Sequence, residues 1–173
     1  MRIVINKPAK GYTLIELLLY VTIIGSLLTA VSMYFSTATE ARVKNQSIVE
    51  VNQQGAIAVD TITYAIRNAD SITSPTAGNS AASLTLVVPT GADSPTVFDL
   101  SSDAIRSKKG AASAIPLTNS KVKITSLTFT NLTRSGTLGV VRFSFVIARV
   151  NNSNQNAYEF QKTFYASAAL RDP

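Results

Sequence analysis

From Leu17 to Thr39 the chain reads LLLYVTIIGSLLTAVSMYFSTAT, 23 residues without a charge. A hydrocarbon core about 30 Å thick is crossed by roughly 20 apolar residues in helix. The run therefore predicts a membrane span, ahead of the less favoured reading as a soluble core helix. A secretory signal would be shorter and closed by a small-residue cleavage site. This stretch is longer and continues straight into more helical sequence.

After Phe35 the pattern turns amphipathic. Ile48, Val51, Gly55, Ala58, Ile62, Ala65 or Ile66, and Ala69 recur at steps of three and four, which is helical periodicity. Glu40, Arg42, Lys44, Gln46, Glu50, Gln53, Gln54, Asp60 and Arg67 fill the other faces. No proline lies between Pro8 and Pro75, and Ser74-Pro75 with the small polar run TAGNSAAS gives a stop. The spacing predicts one helix from about Tyr12 to about Ile72, roughly 90 Å long at 1.5 Å per residue. Asp70 is poorly matched to a helix C-terminus, so the last turn is expected to fray. No compact domain of this size buries such a helix. Its first half must lie in a bilayer or against copies of itself.

Beyond Pro75 the period changes to two. Leu84–Val88, Val97–Leu100, Val122–Phe129, Val140–Ala148 and Tyr158–Phe164 read as strands. Ser135-Gly136 and the run Asn151-Asn152-Ser153-Asn154 separate the last three, which predict an antiparallel meander. Its apolar face needs a cover, and the stripe Ile48–Ala69 is the natural one. Ser101–Ser120 reads as an irregular loop. The expected fold class is α+β: a long N-terminal helix, transmembrane in its first half and amphipathic in its second, packed on a C-terminal antiparallel β-sheet. The segments are 12–39 for the span, 40–73 for the amphipathic half and 74–173 for the β domain.

Charge sharpens this division. Residues 1–11 carry +3 with no acid, residues 12–73 carry −2, and residues 74–173 carry +5, which together give the net +6. The basic, acid-free start points to the cytoplasm by the positive-inside rule, so the C-terminal domain goes out. Composition narrows the chemistry. With Cys 0 and His 0 there is no disulfide, thiolate nucleophile or zinc finger, and no Ser-His-Asp machinery. Two-carboxylate and Ser-Lys chemistries stay formally open, but no constellation of residues supports them, so neither an enzyme nor a cofactor is expected. A hydrophobic content of 46% excludes wholesale disorder.

Lys10-Gly11-Tyr12-Thr13-Leu14-Ile15-Glu16 stands at the head of the span. A basic leader ends in Gly, an aromatic follows, and a Glu sits just before the uncharged run. A carboxylate at the lip of a membrane helix is expensive and marks a functional candidate. This string resembles the class III signal of type IV prepilins and type II secretion pseudopilins, and the long helix with a C-terminal sheet fits that family's architecture. The resemblance implies that residues 1–11 are a cleaved leader. A membrane-embedded prepilin peptidase would cut after Gly11 and N-methylate Tyr12, which stands where the family more often has Phe. Glu16 would offer its carboxylate to the positive N-terminus of a neighbouring subunit. The implied partners are other pilin or pseudopilin subunits, the peptidase/methyltransferase, the inner-membrane assembly platform and, before assembly, the lipid bilayer. The implied location is a bacterial inner membrane, single-pass with the N-terminus cytoplasmic, and then a filament.

Two family features are missing. The proline that kinks the span in many members would fall at Met33, leaving Gly25 as the weak point, at about 1 kcal/mol against Ala. The C-terminal disulfide of many major pilins cannot form. The closing run Thr163–Arg171 and the helix end Tyr64-Ala65-Ile66-Arg67-Asn68 resemble J-type minor pseudopilins and related minor pilins. Glu16 itself argues against the extreme tip subunit, which usually lacks it.

The alternative function is a pilus-borne binding module, a DNA-uptake or adhesion pilin. Lys108, Lys109, Lys121, Lys123 and Arg134 would line a nucleic-acid patch. A solvated face is favoured over it, because no run of stacking aromatics accompanies the charges. Asp93, Asp99 and Asp103 with Ser101 and Ser102 offer hard oxygens for Ca²⁺, but their spacing matches no calcium loop, and no metal is expected. Asn45, Asn131 and Asn151 begin glycosylation patterns of the kind an Asn/Ser/Thr-rich chain carries by chance.

Overall fold

The structure is a computed structural model that describes residues 11–151 and 159–171. Helix α1 runs Leu14–Arg67 without a break. Thr13 caps it: the Glu16 amide donates to the Thr13 carbonyl at 3.1 Å and to Thr13 Oγ1 at 3.3 Å. These bonds satisfy a donor that a helix start leaves orphaned. The chain divides into two compact units, Met1–Ala41 and Arg42–Pro173.

In the first unit every large apolar side chain from Leu14 to Phe35 is exposed. The stretch is long and apolar enough to cross a bilayer, and none of it is buried within the chain. Its hydroxyls bond to the helix's own carbonyls. Thr22 donates to Leu19 O, Ser26 to Ile23 O, Thr29 to Gly25 O, Thr37 to Met33 O and Thr39 to Phe35 O, all at 2.8–3.0 Å. Such back-bonding satisfies hydroxyl donors within an apolar helix without help from outside it.

In the second unit α1 buries Ser47, Val51, Gly55, Ala58, Ile62 and Ile66, the expected stripe with Ser47 in place of Ile48 at its start. The helix ends at Arg67 rather than Ile72. The Asp70 amide donates to Val87 O at 2.8 Å, and the chain is captured as strand β1, Ser71–Ser74, on β3, Leu84–Val87. Two antiparallel sheets follow. The first is completed by β4, Thr96–Ser101, β5, Ala104–Lys109, and β6, Ile115–Pro116, in the order β1-β3-β4-β5-β6. The second holds β2, Ser80–Ala81, β7, Val122–Asn131, β8, Val140–Arg149, and β9, Gln161–Ala169, in the order β2-β7-β8-β9. The peptide bonds before Pro75 and Pro95 are cis.

The expected loop Ser101–Ser120 is thus corrected to a hairpin and a short strand. Ser101 pairs with Ala104 across Ser102 and Asp103, whose φ values are 51° and 58°. Two successive positive φ angles make the tight turn that matches strand twist. The meander β7-β8-β9 forms, but its third strand is Gln161–Ala169 rather than Tyr158–Phe164, of which Tyr158 lies outside the described residues; β7 carries one irregularity. The register shifts between Ile124 and Ser126, so Thr125 is an extra residue. This bulge lets Val122 and Ile124 before it, and Leu127 and Phe129 after it, face the same core.

One core joins α1 to both sheets: Val51, Ala58, Ile62 and Ile66 meet Leu84, Leu86, Phe98 and Ile105 on one sheet and Phe129, Phe143, Phe145 and Ile147 on the other. Polar ties stake both flanks of the helix. Asn119 donates to Glu50 Oε1 at 2.6 Å and to Gln54 Oε1 at 3.2 Å, while Lys162 Nζ donates to Asn52 Oδ1 at 2.6 Å.

Gly55 lets the helix approach β9. A Cβ there would overlap the Phe164 ring, which stacks on Phe145 at 5.4 Å between centroids and so cannot retreat inward. Gly55→Val is expected to destabilise the second unit by about 1–3 kcal/mol, as overpacking does, read as a lower urea midpoint. An unchanged midpoint would mean that Phe164 swings out freely.

Candidate assembly site at the start of the helix

Gly11 and Tyr12 precede the capped turn and are exposed, Tyr12 at 77%. A Cβ placed on Gly11 would meet nothing within 4 Å, so the backbone there is open to an approaching protein. Thr13 fixes where the helix begins. That places Glu16 in the first turn, where a carboxylate gains from the helix dipole. Among the described residues no cation lies within ion-pairing distance of it. Its one side-chain partner among the described residues is Tyr20, whose hydroxyl donates to Glu16 Oε1 at 3.4 Å. Residues four apart share a helix face, so spacing alone allows this contact.

Gly11, Tyr12 and Glu16 are the residues expected here from the sequence; the structure adds Thr13 as cap and Tyr20 as partner. The signals were there. Thr13-Leu14-Ile15-Glu16 has the capping-box spacing, and Tyr20 stands at the i+4 position from the carboxylate.

The five cations of the alternative reading lie at separate places. Lys108 and Lys109 end β5, and Lys109 Nζ donates to Asp93 Oδ2 at 3.1 Å. Lys121 and Lys123 stand at the start of β7, with Lys121 4.0 Å from Glu50 Oε2. Arg134 lies past the strand's far end, on the order of 25 Å along β7 from Lys123. Two of the three carboxylates of the calcium reading, Asp93 and Asp99, are already engaged. Asp93 faces Lys109, and Asp99 accepts from Arg106 Nε at 2.9 Å and Nη2 at 2.6 Å. That hydrogen bonding raises the Arg106 pKa above its ordinary value, against a smaller opposing effect of desolvation. Among the described residues no three of Asp, Glu, His or Cys cluster as metal ligands. Of the glycosylation patterns, the one at Asn131 is used structurally. Asn131 is 3% exposed, donates to Pro75 O at 2.8 Å and accepts from the Thr133 amide at 3.0 Å. The pattern at Asn151 runs outside the described residues.

Residues 6–32 match the family described as the prokaryotic N-terminal methylation motif. No curated protein and no solved structure matches the chain. The match spans the end of the basic leader, the Gly11–Tyr12 junction, Glu16 and the front of the apolar run. The chain carries the class III signal peptide of type IV pilins and pseudopilins, on an α+β body of pilin-like architecture.

Proposed function

We propose that this protein is a structural subunit, of the minor kind, of a type IV pilus or a type II secretion pseudopilus. The carrying observation is the methylation motif at residues 6–32, continued by apolar helix that nothing among the described residues covers. In this reading the basic leader stays cytoplasmic, and prepilin peptidase removes residues 1–11 and methylates Tyr12. The chain waits as a single-pass protein of the inner membrane with residues 42–173 outside. The assembly platform then moves it into the filament, where Glu16 pairs with the N-terminus of a neighbouring subunit. The likeness of Thr163–Arg171 to J-type pseudopilins supports the minor role. The role is structural rather than catalytic. The DNA-uptake or adhesion reading is not favoured, because the cations it needs lie apart.

Intact-mass measurement on protein from the native membrane tests the processing. The expected species lacks residues 1–11 and carries one added methyl on Tyr12. A mature N-terminus elsewhere would sink the reading.

A further inference from the structure

Tyr20 is unusual among the polar residues of the span. The hydroxyls of Thr22, Ser26 and Thr29 turn back to carbonyls of their own helix. The Tyr20 phenol instead donates to Glu16 Oε1 at 3.4 Å. That bond uses its single proton and leaves the lone pairs of the phenol oxygen open. It also leaves Glu16 Oε2 open, since Glu16 has no other side-chain partner among the described residues. Two acceptors thus stand side by side on one helix face, next to a site matched as a methylation motif. A monomethylated α-ammonium has two N–H donors, where an unmodified one has three. In a packed apolar interface a donor without an acceptor is costly.

We propose that Tyr20 is a positioning residue for subunit pairing. It holds the Glu16 carboxylate in place and supplies the second acceptor for the N-methylated α-ammonium of a neighbouring subunit. This rests on the reading of Glu16 given under the proposed function. The own N-terminus is the competing occupant, since Tyr12 lies only four residues before Glu16.

Two measurements on the full-length chain in its native host test this. In the first, Tyr20→Phe, Tyr20→Leu and Glu16→Gln are compared for membrane level and for recovery in sheared filaments. Tyr20→Phe should keep its membrane level and lose about tenfold in recovery, the size of one charge-assisted hydrogen bond. Tyr20→Leu should lose no more than Tyr20→Phe, because the oxygen matters and the ring does not. Normal recovery of Tyr20→Phe beside a depleted Glu16→Gln would overturn the role of Tyr20 and leave that of Glu16 standing. Normal recovery of Glu16→Gln would overturn the inter-subunit reading itself. In the second, the photo-crosslinker p-benzoylphenylalanine replaces Tyr20, and the products are read by mass spectrometry. Capture of another subunit's N-terminal peptide supports the proposal. Products confined to lipid or to the chain's own N-terminus reject it, including where Tyr20→Phe fails to accumulate.

Discussion

Glu16→Leu is expected to insert into the membrane at wild-type level and to fall at least about 100-fold in sheared filaments. The magnitude follows from burial. An ion pair broken inside an apolar interface leaves an uncompensated charge, which costs about 3–5 kcal/mol, and each 1.4 kcal/mol is a factor of ten. No other charge lies between Leu17 and Thr39 to take over the pairing, so the mature N-terminus of the neighbour would be left alone. A purely local role predicts something else. A first-turn carboxylate is worth only about 0.3–1 kcal/mol through the helix dipole. Here the turn is capped independently by Thr13, whose hydroxyl and carbonyl bind the Glu16 amide and not its side chain. Leucine at position 16 therefore leaves the cap intact, and a local role would leave recovery near wild type. Shearing followed by immunoblotting separates the two outcomes, with membrane level as the control for insertion.

The parts of this protein that follow from periodicity were legible, and those that follow from tertiary capture were not. The stripe Val51, Gly55, Ala58, Ile62 and Ile66 could be read because its faces differ sharply in polarity. The strands β7 and β8 could be read because apolar residues alternate over most of their length. The bulge at Thr125 could not, since one inserted residue looks like a lapse in the pattern until the partner strand is present. The β4–β5 hairpin was hidden twice. Its turn is Ser102-Asp103, without the glycine that marks such turns. Its second strand reads AIRSKK, with one deeply buried residue, Ile105. The helix end moved from Ile72 to Arg67 because Val87 competes for the Asp70 amide, a contact with no local signature. Similarly, Lys108 to Arg134 are near in sequence, but hairpin reversals carry them apart. At the candidate assembly site, Gly11, Tyr12 and Glu16 could be named from their order along the chain. For Tyr20 the sequence holds only the i+4 spacing, which allows the contact with Glu16 without requiring it.

Phe145→Ala is expected to remove about 3–5 kcal/mol from the second unit, the range for deleting a buried aromatic ring. Phe145 is 1% exposed and lies between Leu127 on β7 and Phe164 on β9 in the strand register. Its ring stacks on Phe164 with 11° between planes, and Phe164 in turn fills the space above Gly55 on α1. Lys162 Nζ sits 5.0 Å from the Phe164 ring centre and also holds Asn52 of the helix. Removing the Phe145 ring therefore opens a cavity and also takes the support from the group on which the helix rests. A domain's whole stability is about 5–15 kcal/mol, so a substantial share of it would go with one side chain. Urea unfolding of the fragment 42–173, which contains every residue of the hydrophobic core, measures the loss. Tyr165→Ala is the matched control. Tyr165 neighbours Phe164 in sequence, yet it points to the opposite face and is 75% exposed, so its removal should change stability by no more than about 0.5 kcal/mol. A loss below about 1 kcal/mol for Phe145→Ala would mean that Phe164 and the helix collapse into the gap, and that Gly55 sets a contact the fold can do without.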